Sequence, residues 1–163
     1  MDRSKRPSRR SLLASLGAGA AALVAGCAAT SDDPAYERRT VDASGNGSRS
    51  PAEMVAAEAL AQQTANDSAS DLDSLSLVEH EFVLEDGYKG PTVQGVVENG
   101  GDDAVNYVEV RVRVYDDSGA QLGRYLASTG DLPADTRWRF EAVLLASAAD
   151  IAAYDAAVFG IPE

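Results

Sequence analysis

From residue 75 onward the chain alternates apolar and polar positions with a period of two. The clearest stretch is Val108-Glu109-Val110-Arg111-Val112-Arg113-Val114-Tyr115, where valines alternate with charged or polar residues. Successive side chains of a strand point to opposite faces, so this pattern sets one face against a core and the other in water. Asp116-Asp117-Ser118-Gly119 ends the run as a hairpin turn, and residues 121–129 read as the returning strand. Pro133-Ala134-Asp135 turns the chain again, and residues 137–143 alternate with Trp138 and Phe140 inward. Upstream, residues 75–84 and 92–99 read as two more strands, joined across Asp86-Gly87 and set off from the third by Gly100-Gly101. Ser147-Ala148-Ala149-Asp150 suits a short helical turn, and residues 154–161 read as a last strand. Short strands with turn signals about every eight to fifteen residues predict an all-β fold. The expected architecture is an immunoglobulin-like antiparallel β-sandwich of about six or seven strands over residues 75–161. The valine rows and Trp138 would fill a space about 10 Å wide between two sheets.

The part before residue 75 lacks this alternation. Residues 51–66 read as a short helix: Ser50 suits the cap, Pro51 the first helical position, and Glu53 completes a capping box. Its apolar face (Met54, Val55, Leu60) is thin, which predicts a marginal helix. Residues 66–74 read as a polar linker. Residues 27–50 are Ser, Asp, Gly, Asn, Thr and Arg with few large apolar side chains, so they are expected to be a flexible linker.

The first residues have a different logic. Arg3, Lys5, Arg6, Arg9 and Arg10 precede an uncharged run, residues 11–26. A charged and then an apolar segment is the order of a secretory signal peptide. As a helix at ~1.5 Å per residue the run reaches about 24 Å. A hydrocarbon core of about 30 Å asks for more, so a permanent transmembrane helix is the weaker reading. Arg9-Arg10-Ser11-Leu12-Leu13 resembles the twin-arginine motif, which implies the export machinery for folded proteins. Val24-Ala25-Gly26-Cys27 resembles a lipobox, which implies cleavage after residue 26 and lipidation of Cys27. Cys27 is the only cysteine, so no disulfide forms within the chain. The expectation is a protein on the cell membrane, held by lipid and facing outward.

Charge sharpens this setting. The chain has 14 basic and 26 acidic residues; five and one of these precede Cys27, which leaves 9 and 25. A net charge near −16, with Lys89 the only lysine after the leader, looks like adaptation to high salt. Strong screening there shortens the Debye length to about 3 Å or less. Nucleic acid is not an expected partner, because no basic patch of useful size is present.

Residues 75–161 also resemble the FxLYD domain, a small sandwich module of exported bacterial and archaeal proteins. The matching features are Gly95-Val96-Val97-Glu98-Asn99, then Val112-Arg113-Val114-Tyr115-Asp116 and Gly119, then Leu132-Pro133 ahead of Trp138-Arg139-Phe140. Val112 and Val114 stand where Phe and Leu are usual, and both swaps keep an apolar side chain inward. The resemblance implies a sandwich and a location outside the cytoplasm, and it carries no catalytic residues.

Candidate chemistry is sparse. His80 is the only histidine, lies on a predicted strand, and has no Cys or second His for a metal site, so a structural or surface role is expected. No Gly-x-Ser-x-Gly elbow accompanies it. Asp102, Asp103, Asp116, Asp117, Asp131 and Asp135 fall at turns, where Asp is favoured without any calcium. No cofactor, metal or catalytic residue is expected. Arg111, Arg113, Arg137 and Arg139 gather on two strands. If those strands pair, Glu109 and Glu141 bridge them as cross-strand partners; the alternative reading is a patch for an anionic partner. The expected role is a non-catalytic interaction or ligand-binding module for an envelope protein or an extracellular ligand. The alternative is a structural accessory lipoprotein of an envelope complex.

Overall fold

The computed structural model describes residues 35–42, 45 and 47–163. The expected signal peptide of residues 1–26, with Arg9 and Arg10, and Cys27, the expected lipidation residue, lie outside the described residues. In chain order the described elements are β1 Glu37–Thr40, α1 Pro51–Ala61, β2 Leu75–Leu84, β3 Pro91–Asn99, β4 Val105–Tyr115, β5 Gln121–Leu132, β6 Thr136–Val143 and β7 Ala153–Pro162. A single 3-10 turn, Ala148–Asp150, precedes β7. Two antiparallel sheets form, one in the order β1-β7-β4-β5 and the other in the order β2-β3-β6. The protein is an all-β sandwich of seven strands, divided four and three.

The alternation seen in the sequence decides what lies between the sheets. Val108, Val110, Val112 and Val114 of β4 are fully buried and meet Val93 and Val97 of β3 and Phe140 and Ala142 of β6. Tyr154, Ala156 and Val158 of β7 complete this layer. Trp138 lies at its rim, half-buried, with its ring centroid 5.9 Å from that of Phe140. Two hairpins, β2–β3 and β4–β5, stay within a sheet, whereas the connections β3–β4 and β5–β6 cross between sheets. Asn99 joins those two crossings. It is fully buried, and its Nδ2 donates to the carbonyls of Asp103 (2.9 Å), Leu132 (3.1 Å) and Pro133 (3.2 Å), while its Oδ1 accepts from Gly101 N (3.1 Å).

The capping box at α1 forms as expected, with Ser50 N donating to Glu53 Oε2 at 2.8 Å. The helix ends at Ala61 rather than at residue 66, and it buries only Ala57. That shortness follows from its thin apolar face.

The linker reading of residues 27–50 needs correction where the chain is described. Glu37–Thr40 pairs with β7 in the register Glu37↔Ala156 to Thr40↔Ala153 and becomes an edge strand of the four-stranded sheet. Its side chains are exposed, so no alternation announced it. Val41 follows it into the core layer. Arg49 then donates to the carbonyls of Tyr88 (2.8 Å), Lys89 and Leu144 (2.8 Å), tying this segment across the end of the sandwich. The polar linker of residues 66–74 is likewise part of the fold. Ser70 exchanges backbone hydrogen bonds with Gly160, and Ala69 is buried beside Ala157 and Phe159.

Candidate functional site

The outer face of the four-stranded sheet carries most of the polar chemistry. Residues of β7 that point away from the core, Asp155, Ala157 and Phe159, are buried all the same. Tyr36, Ala69, Tyr107 and Ile161 gather around Ala157 and Phe159 in a second apolar cluster. The strand is therefore apolar along nearly its whole length, the pattern expected when both faces are covered.

Two carboxylates lie beneath this cover. Glu109 is fully buried and accepts from Arg111 Nε (2.6 Å), Tyr107 Oη (3.0 Å) and the backbone N of Asn66 (3.1 Å). Arg111 also donates through Nη2 to Asn66 O at 2.9 Å, with its guanidinium carbon 3.9 Å from the Phe159 ring centroid. Asp155 accepts a forked pair from Arg113, Nε at 2.7 Å and Nη2 at 2.8 Å, together with Tyr115 Oη at 3.0 Å. Such side-on Arg–carboxylate pairs are among the stronger charge-assisted hydrogen bonds. The bond to Asp155 holds the Arg113 guanidinium above its usual pKa. Tyr36 lies over Arg113, ring centroid 3.5 Å from the guanidinium carbon, and burial raises the Tyr36 phenol. Beside these pairs a cleft of about 470 Å³ opens, lined by Tyr36, residues 63–65, Asp67, Arg111, Arg113, Arg124 and their neighbours.

The four arginines singled out in the sequence are not one patch. Arg111 and Arg113 are on β4, which pairs with β5 and β7, whereas Arg137 and Arg139 are on β6, which pairs with β3 in the other sheet. Alternation correctly places all four side chains on outward positions, but it does not say which sheet a strand joins. The expected cross-strand bridging is absent for the same reason. Glu109 pairs with Arg111 of its own strand, Glu141 with Lys89 at 2.9 Å, and Arg137 with Glu98 at 2.8 Å. The arginine missed by sequence reasoning is Arg124, which stands directly across from Arg113 on the neighbouring strand. Its signal is in the sequence: residues 121–129 form the returning strand of the hairpin, which brings Arg124 opposite β4.

His80 closes the open side of the sandwich. It points inward from β2, and its Nδ1 lies 2.8 Å from Tyr154 Oη of β7. Its Nε2 meets two side chains of β1, Arg39 Nε at 3.3 Å and Glu37 Oε2 at 3.2 Å. One ring nitrogen cannot accept from Arg39 and donate to Glu37 in the same tautomer, so these contacts alternate with the ring's proton. Burial lowers the His80 pKa, the bond to Glu37 opposes that, and Arg39 adds to it. Burial also pushes the Tyr154 phenol up to about 12. His80 is thus a structural residue that fastens β1 to the second sheet.

The acidic turns are built as turns. Asp116 accepts from Ser118 N, Ser118 Oγ and Ala120 N, while Asp131 and Asp135 adopt positive φ. Among the described residues, no three His, Cys, Asp or Glu side chains converge as a metal site. In comparisons with family models, curated proteins and solved structures, nothing matches this chain.

Proposed function

We propose that this chain is an exported lipoprotein, anchored to the membrane through Cys27, that presents a non-catalytic β-sandwich as a binding module to an envelope protein or extracellular ligand. The observation that carries the reading is the order of signals: Arg9-Arg10, an uncharged run, Val24-Ala25-Gly26-Cys27, and then a sandwich without cysteine. The resemblance of residues 75–161 to the FxLYD domain supports the same setting. Its motif residues have clear structural tasks: Val112 and Val114 fill the core, Tyr115 binds Asp155, and Asp116 builds the turn. The acidic surplus supports a saline environment. His80 is committed to Tyr154 and β1, which supports a role other than catalysis.

A second reading, an accessory structural lipoprotein, is favoured by α1. Val55 and Leu60 are 66% and 46% exposed on a helix that buries little else, a surface suited to assembly with a partner. Membrane fractionation tests the anchor shared by both readings. Cys27→Ser should release the protein from membranes or leave it as uncleaved precursor, and replacing Arg9 and Arg10 with Lys should block export. A Cys27→Ser protein that is correctly processed and still sediments with membranes defeats the lipid assignment.

A further inference from the structure

The register of the four-stranded sheet aligns charges that are distant in sequence. Arg38 on β1 faces Asp155 on β7, Asp155 faces Arg113 on β4, and Arg113 faces Arg124 on β5. A single row across the whole outer face thus holds three arginines and one aspartate. Like charges directly opposite each other on neighbouring strands are destabilising. Arg113 and Arg124 stand in that relation, and Asp155 compensates only Arg113. Arg38 is stacked on Tyr115, its guanidinium carbon 4.3 Å from the ring centroid, and has no carboxylate partner among the described residues. The surplus is two positive charges on a chain whose formal net charge is −12.

We propose that the cleft beside Arg113 and Arg124 is an oxyanion site that takes a carboxylate or phosphate group of a ligand. A guanidinium has five N–H donors. Arg113 gives Nε and Nη2 to Asp155, and Arg111 gives Nε and Nη2 to Glu109 and Asn66. The Nη1 groups of both have no partner among the described residues, and neither does exposed Arg124. The cleft that these three residues line is walled by Tyr36 and residues 63–65. One acidic residue, Asp67, also lines it, and Glu109 and Asp155 neutralise Arg111 and Arg113 from behind, so attraction to an oxyanion rests on the unpartnered Nη1 donors and on Arg124 rather than on net charge. Glu109 and Asp155 orient their arginines from behind and fix the remaining donors in place. A planar fork with fixed donors suits oxyanions better than a mobile ammonium does. This site is the ligand site of the binding module proposed above and rests on that reading.

The test uses the purified full chain, titrated at constant ionic strength with inorganic phosphate in one arm and malonate in the other. The readout is the arginine Nε–H resonances by NMR. Saturable shifts at Arg113 and Arg124 are expected, and the tighter arm identifies the oxyanion class. Arg124→Gln, an exposed substitution that spares both buried pairs, should weaken binding about tenfold or more. Arg137→Gln, on the other sheet, should leave it unchanged. The proposal is overturned if neither anion gives a saturable shift, or if Arg124→Gln binds as tightly as the unaltered chain. Because the titration does not depend on how the chain is held at a membrane, its failure leaves the fractionation result standing, and the reverse also holds.

Discussion

Asn99→Ala is the substitution whose cost can be worked most directly from the structure. The amide of Asn99 is fully buried, with its two N–H donors shared among three carbonyls and its oxygen accepting from Gly101 N. Counting two donated bonds and one accepted, at about 1 kcal/mol net each, gives a loss of about 3 kcal/mol. The cost is not softened by easy solvation, because the Leu132 carbonyl lies inside. For a domain of roughly 130 residues, unfolding entropy near 2.1 cal/mol/K per residue turns this into a fall in Tm of about 11 °C. Urea unfolding followed by far-UV circular dichroism and by the single tryptophan, Trp138, would measure both quantities. Asn99→Asp isolates the donors from the shape. It keeps the volume but sets carboxylate oxygens against three carbonyls at neutral pH, so it should cost at least as much as Ala and recover partly in acid, where a protonated carboxyl donates once. If either variant stays within about 0.5 kcal/mol of the unaltered protein at neutral pH, Asn99 is not the staple between the two sheet crossings.

Two further outcomes follow from buried charge. The folded-state pKa of His80 lies below the ordinary 6.5, so the unfolded chain takes up that proton first. Stability that is full above about pH 7 should fall as pH drops through 6.5 toward the folded-state value, and His80→Gln should remove that slope. A single histidine makes the NMR titration unambiguous, and a midpoint at or above 6.5 contradicts the assignment. Arg111→Ala should cost about 3 kcal/mol, because it strands the fully buried carboxylate of Glu109. It should also raise hydrogen exchange at Asn66 and its neighbours, which Arg111 and Glu109 hold; unchanged exchange there would show that residues 62–70 are kept in place by Ala69 and Ser70 instead.

Strands β4 and β6 were legible because each buries one face against the other sheet and leaves a period of two on the sequence, whereas β7 was legible as a long apolar run after a turn. β1 was not, because Glu37-Arg38-Arg39-Thr40 buries nothing. It is fixed by backbone pairing to β7 and by side-chain contacts to His80 and Tyr115, all distant in sequence. The arginine patch failed for a related reason. Alternation assigns a side chain to a face, whereas sharing a surface also requires knowing which strands are neighbours, and β4 and β6 belong to different sheets. The cover over the outer face did leave a mark. Ala153-Tyr154-Asp155-Ala156-Ala157-Val158-Phe159 has apolar residues at both parities, which a strand with one wet face does not need. The period-two reading made no use of that run; the second buried layer is supplied by Ala69, Tyr36 and Tyr107.

The position of β1 changes what the anchor would do. With residues 27–50 as a free linker, a lipid on Cys27 would hold the sandwich loosely. The sheet instead takes up the chain at Glu37, ten residues after Cys27. Any pull on the anchor would therefore be delivered to a four-residue edge strand. Burial cannot resist it, because the side chains of β1 are exposed. Resistance comes from four residues of pairing with β7 and from contacts at Glu37, Arg38 and Arg39. Arg38 belongs to the arginine row, and Tyr36 walls the oxyanion cleft. Filling the cleft and holding β1 on the sheet would thus be coupled through adjacent residues: a ligand that stabilises Tyr36 over Arg113 would also stabilise the strand on which the proposed anchor would pull.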